Sequence, residues 1–181
     1  MSYIFSDCMK LKTLGLLINI QNINNVSCMF NNCYSLEIIQ GLESSFSSKN
    51  KVYDMSGMFS YCKSLKNIDL YNFKTKYETN ISSMFSNCSS LEYYNISYIN
   101  ANNLGYIFYN CKNLKKLDLS CFNTKKANNM SHMFDSTSFS KLDLSLLDTS
   151  NVIDMSYMFY DCVNLKNIKF GHFLILPKLK T

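Results

Sequence analysis

The chain has 181 residues and a mass of 21.0 kDa, which suits one domain or one stretch of a repeat array, and its 47% hydrophobic and 17% charged residues can fill a core. Five glycines and a single proline (Pro177) nearly exclude glycine-rich phosphate loops and dinucleotide fingerprints. The formal charge of +5 is carried by lysine without arginine, so the bidentate fork that reads guanine is missing and no nucleic-acid partner is expected; no run approaches the roughly 20 apolar residues of a membrane span.

In chain order the same element returns seven times. It opens with Met1, Ile4, Phe5, Cys8 and Leu11, then Val26, Met29, Phe30, Cys33 and Leu36. The third copy is Met55, Met58, Phe59, Cys62 and Leu65, and the fourth is Ile81, Met84, Phe85, Cys88 and Leu91. The fifth is Leu104, Ile107, Phe108, Cys111 and Leu114. In the sixth, Met130, Met133 and Phe134 are followed by Thr137 in the cysteine slot and by Phe139, one residue early, in the leucine slot. The seventh is Met155, Met158, Phe159, Cys162 and Leu165. Positions i, i+3, i+4 and i+7 share one face of a helix, so each copy predicts a helix of about two turns. The residue before each face is Asn25, Asp54, Asn80, Asn103, Asn129 or Asp154 and reads as an N-cap. So short a helix is marginal in water and must be held by packing.

Between these copies the period changes to two. Ile68 and Leu70 alternate with Asn67 and Asp69, Leu117 and Leu119 with Lys116 and Asp118, and Leu142 and Leu144 with Lys141 and Asp143. This predicts short strands with one face buried. Phe73, Ile99, Phe122, Leu147 and Phe173 follow, with Thr75, Thr124 and Thr149 closing several turns. A unit of about 25 residues cannot bury its apolar faces alone, whereas stacked copies can. The expected fold is α/β, a right-handed leucine-rich-repeat solenoid of about seven coils. Each coil would carry one short helix and one short parallel strand, with residues 1–181 forming a single domain. The longer second unit predicts an outward loop over 43–51.

The unit from Asp54 and Met55 through Met58, Phe59, Cys62 and Leu65 to Asp69 and Leu70 resembles the BspA-like leucine-rich repeats of mycoplasma, other bacterial and protist surface proteins. The Leu-Asp-Leu-Ser and Phe-Asn-Thr turn at 117–124 matches as well. The resemblance covers nearly the whole chain. It departs in the second unit, at Gly41 and the insertion, and in the sixth, which lacks the cysteine. It implies an exported interaction or adhesion protein and transfers no catalytic residue, so an enzyme is not expected. The alternative is an intracellular scaffold with reduced cysteines.

Six of the eight cysteines fall once per unit in an inward column, where neighbours about 4.8 Å apart are too far for an unstrained disulfide; a ladder of buried thiols is expected. Cys28 and Cys121 lie off this column. No C-x-x-C pair exists, and neither a metal nor a cofactor is expected. His132 takes the variable slot two before Phe134 and is expected in solvent; His172 is the other histidine. Of five glycosylation sequons, those at Asn25, Asn80 and Asn129 coincide with the cap, while Asn87 and Asn95 stand elsewhere. Recognition is expected on the outward strand positions Asn67, Asp69, Tyr71, Tyr93, Asn95, Lys116, Asp118, Lys141 and Asp143. The expected partner is a protein or host-surface ligand. Met1 stands in its column without a cap, and 170–176 is apolar with no eighth copy. These ends predict a stretch of a longer array, able to self-associate through uncapped coils.

Overall fold

A computed structural model describes residues 1–15, 23–42 and 51–171. Its axis is a column of phenylalanine rings. Phe5, Phe30, Phe59, Phe85, Phe108, Phe134 and Phe159 stack in order, with centroids 5.5–6.2 Å apart and planes within 11° of parallel. Offset stacking at this spacing adds about 0.5–1.5 kcal/mol per pair to what burial contributes. The five inner rings are fully buried, while Phe5 and Phe159 are only partly so. The methionine, thiol and leucine columns pack around them, and the stack makes a solenoid of about six turns.

The predicted helices are absent from the described residues, where tandem turns take their place. In the third rung Met58, Ser60 and Cys62 donate their N–H groups three residues back, to the carbonyls of Met55, Gly57 and Phe59, at 3.0–3.2 Å. The alternating N–H groups of Met55, Gly57, Phe59 and Tyr61 donate sideways, to Asn80, Ser82, Met84 and Ser86 of the next coil, at 2.8–2.9 Å. A lone two-turn helix would leave its end groups unpaired. Here every second amide is shared between coils, so the cost of nucleating a helix never arises. Two residues per rung are left-handed, one two before and one two after the phenylalanine, with φ of 51–63°. Such residues cannot continue an α-helix.

The predicted caps keep their chemistry in a different setting. Asn25, Asp54, Asn80, Asn103, Asn129 and Asp154 each accept the backbone N–H two residues on, at 2.8–3.0 Å, and open a turn rather than a helix. They also pair coil to coil as isolated parallel bridges, Asn25 to Asp54 to Asn80 and Asn103 to Asn129 to Asp154.

Eight parallel-paired strands are present among the described residues: β1 (Thr13–Gly15), β2 (Ile38–Gln40), β3 (Asn67–Lys74), β4 (Thr79–Asn80), β5 (Tyr93–Asn103), β6 (Phe122–Asn123), β7 (Lys141–Leu144) and β8 (Asn167–Phe170). They form three separate sheets: β1 with β2, β5 with β3, β4 and β6, and β7 with β8. The exposed-buried alternation in β3 and β7 is the one the sequence predicts. The strand expected around Leu117 and Leu119 does not form. Tyr94 fills the inward position that Ile68 takes in β3, and its hydroxyl donates to the Asp118 carbonyl at 2.6 Å while accepting the Asp118 N–H at 3.1 Å. A side chain thus captures the main-chain groups through which Asp118 would pair with β5. The insertion at 43–50, Phe173 and His172 lie outside the described residues.

Candidate interaction face

All nine predicted recognition residues are exposed. Register brings four of them together: Asn67 lies beside Tyr93, and Asp69 beside Asn95. The Asn95 amide donates to Asp69 Oδ1 at 3.1 Å. With Glu37, Ile38, Ile39, Ile68 and Tyr94 these four line an open groove of about 430 Å³. Tyr71 stands further along β3 and is also exposed. Lys141 and Asp143 belong to a different sheet, beside Asn167 and Lys169, and Lys116 and Asp118 lie in the stretch of the fifth coil that forms no strand. The nine therefore form three groups along the solenoid rather than one continuous sheet face.

The carboxylates have structural work. Asp69, Asp118 and Asp143 each accept the backbone N–H two residues on, from Tyr71, Ser120 and Ser145, at 2.8–3.0 Å. The Ser120 hydroxyl holds the Asp118 carboxyl below its usual range, and the Ser145 hydroxyl followed by the Lys169 ammonium does the same for Asp143. Glu92, lowered by its ion pair with Lys115, borders Tyr93, and Lys115 also lies 5.8 Å from the Tyr93 ring centre.

The eight cysteines are free thiols. Those of the column act as donors: Cys33, Cys62, Cys88, Cys111 and Cys162 each reach the phenylalanine carbonyl of the preceding coil at 2.9–3.2 Å. Burial pushes Cys33 up to about 11 and Cys111 and Cys121 up to about 12, and raises Cys62 and Cys88 as well. Thiols so protonated are poor nucleophiles.

A second feature went unread in the sequence. His132, expected in solvent, is half-buried between Tyr106 and Tyr157, with ring centres 4.2 and 4.8 Å away and near-parallel planes. Its Nδ1 lies 2.6 Å from Oδ2 of the buried Asp135, and the edges of Tyr109 and Tyr160 close the row. Tyr106, His132 and Tyr157 share the left-handed slot two before the phenylalanine. Their recurrence was visible as a column, but only the turn geometry shows that this slot aligns side chains from coil to coil. Among the described residues no group of three His, Cys, Asp or Glu side chains converges as metal ligands, and no helix is long and apolar enough to cross a membrane.

The chain is similar in structure to a leucine-rich cell surface protein from Faecalibacterium prausnitzii, at 15% identity and a TM-score of 0.47, over 93% of this chain and 35% of that one. It is also similar to a leucine-rich repeat protein from Bacteroides ovatus, at 18% identity and a TM-score of 0.38, over 94% of this chain and 58% of that one. The chain thus spans about a third and somewhat over half of these two proteins. No curated protein matches it, and no enzyme family is indicated. The family described as "Mycoplasma protein of unknown function, DUF285" matches residues 1–104 and again 92–173, which takes in every rung of the stack and agrees with the resemblance carried by the repeat unit. The chain belongs to the DUF285 family.

Proposed function

We propose that the chain is a non-catalytic interaction module, a single solenoid domain of a leucine-rich-repeat surface protein, and that it binds a protein or host-surface ligand through the strand side. The observation that carries this reading is the division of labour along the repeat. The recurring Phe, Met, Cys and Leu columns are spent on the interior, while Asn67, Asp69, Tyr71, Tyr93, Asn95, Lys116, Asp118, Lys141 and Asp143 are exposed, the first outward column changing from Asn67 to Tyr93 to Lys116 and Lys141. Exposed tyrosines among amides and charges supply large contact area at low entropic cost. The protonated thiols argue against a cysteine enzyme. A second reading, an intracellular scaffold, is supported by the free state of the cysteines.

The test is interferometry of the immobilised chain against a panel of purified host-surface proteins, run beside a variant with Tyr71, Tyr93, Lys116 and Lys141 changed to alanine. Among binders, the variant is expected to weaken affinity by about tenfold or more, since truncated aromatic contacts commonly cost at least 1–2 kcal/mol. A variant that folds normally and binds as well as the parent would overturn the assignment of the face.

A further inference from the structure

The strand side is split between the second and third coils. On the turn side these coils are fully joined: Val26, Cys28, Phe30 and Asn32 donate to Asp54, Ser56, Met58 and Ser60 at 2.8–2.9 Å. On the strand side, among the described residues, β2 pairs only with β1 and β3 only with β5. Among the described residues no main-chain hydrogen bond joins β2 to β3. The edges of β2 at 38–40 and of β3 at 67–69 therefore both border the groove of about 430 Å³, which continues onto Tyr93–Asn95 of β5, and among the described residues neither edge pairs with the other. An unpaired edge is a template for a further strand.

The walls specify the guest. Ile39, Ile68 and Tyr94 form an inner lining of apolar and aromatic side chains, with Ile68 buried and the other two half-buried. Ile38 is 50% exposed on the outer side. The charged residues of the groove are Glu37 and Asp69, both acidic, on a chain of net charge +5. Extended chain alternates its side chains between two faces, and three residues of it span about 10 Å, the length of β2. A peptide with apolar residues on one face and basic residues on the other matches this arrangement.

We propose that the cleft between β2 and β3 binds an extended peptide of alternating apolar and basic residues from a partner protein, added as a strand to the exposed edges. This inference rests on the reading of the strand side as a recognition face. Main-chain pairing supplies affinity, and Glu37 and Asp69 select the basic side chains.

The probe is a seven-residue peptide of alternating valine and lysine, acetylated and amidated at its ends, with two controls: glutamate in place of lysine, and N-methylation of every second amide. Amide exchange of the full chain is expected to slow at Ile38–Gln40 and at 67–69 when the lysine peptide is added. N-methylation removes several hydrogen bonds of about 1 kcal/mol each and is expected to weaken binding by about tenfold or more. Glu37→Lys, at an exposed side chain with no hydrogen bond or ion pair among the described residues, is expected to weaken the lysine peptide and not the glutamate one. Binding indifferent to N-methylation, no binding of any peptide, or edge protection that grows with protein concentration without peptide would each overturn the inference. Failure here with the four-alanine variant still losing its ligand removes the cleft and leaves the recognition face standing.

Discussion

The slot two before each phenylalanine is left-handed in all seven rungs, but glycine occupies it only at Gly57, with φ of 60°. A Cβ placed there would come within 3.1 Å of Cys28 Sγ. Gly57→Ala is therefore expected to lower stability by about 1–2 kcal/mol, the usual cost of a left-handed L-residue. Gly15→Ala is the control, since nothing lies within 4 Å of a Cβ at that site. Urea midpoints of the two variants check this; equal shifts would show that the rung backbone is not strained. The matching slot two after the phenylalanine holds Asp7, Asn32, Asn87, Asn110 and Asp161, residues that tolerate this conformation best, with Tyr61 and Ser136 in the other two rungs. That signal was present in the sequence. Helical spacing concealed it, because successive three-residue turns also bring positions i, i+3, i+4 and i+7 to the interior. The inward columns were legible on either account; the backbone path was not. The caps were legible for a related reason, since an Asn or Asp oxygen accepts the N–H two residues on whether a helix or a turn follows.

At the scale of the element, period two located β3 and β7, where aliphatic residues fill the inward positions. It failed in the fifth coil because the obstruction comes from the fourth: Tyr94 is long enough to reach Asp118, and a pattern read along one coil contains nothing about its neighbour. The site was legible to the same degree. Exposure of all nine residues followed from alternation, whereas their division into groups followed from sheet breaks. Tyr94 also packs against Phe85 and Phe108, 6.0 and 5.2 Å away. Tyr94→Phe keeps the ring and removes the hydroxyl, leaving the Asp118 N–H and C=O without this partner. The expected result is a loss of about 1–3 kcal/mol and faster amide exchange at Asp118. Tyr94→Ile restores the aliphatic column and is expected to slow exchange there by letting the coils pair. Unchanged exchange at Asp118 in both variants would rule out the hydroxyl as the cause of the break.

Across the whole molecule the thiol column couples the coils to pH. The carbonyls of Phe30, Phe59 and Phe85 each accept their own coil's cysteine N–H and the next coil's S–H, as Phe59 does from Cys62 at 3.1 Å and Cys88 at 2.9 Å. Only the protonated thiol can donate, and the interior resists the thiolate. Unfolded thiols ionise near the ordinary value of 9.0, whereas in the fold Cys33 waits until about 11 and Cys111 and Cys121 until about 12, with Cys62 and Cys88 raised too. The unfolded chain then holds fewer protons than the folded one above pH 9, so stability is complete below that value and falls as pH rises toward the folded values. Each buried thiol is expected to contribute a slope of about 1.4 kcal/mol per pH unit in that window. Urea midpoints at pH 7, 8, 9 and 10 under reducing conditions measure it. The curve is expected to be flat to pH 8 and to drop steeply by pH 10. Cys88→Thr, which places at the fourth rung the residue already present at Thr137, is expected to reduce the slope by one thiol's share. A midpoint that does not move between pH 8 and 10 would mean that the column is not protonated and buried as a unit, and that the coils are held together by the rings and the backbone ladder alone.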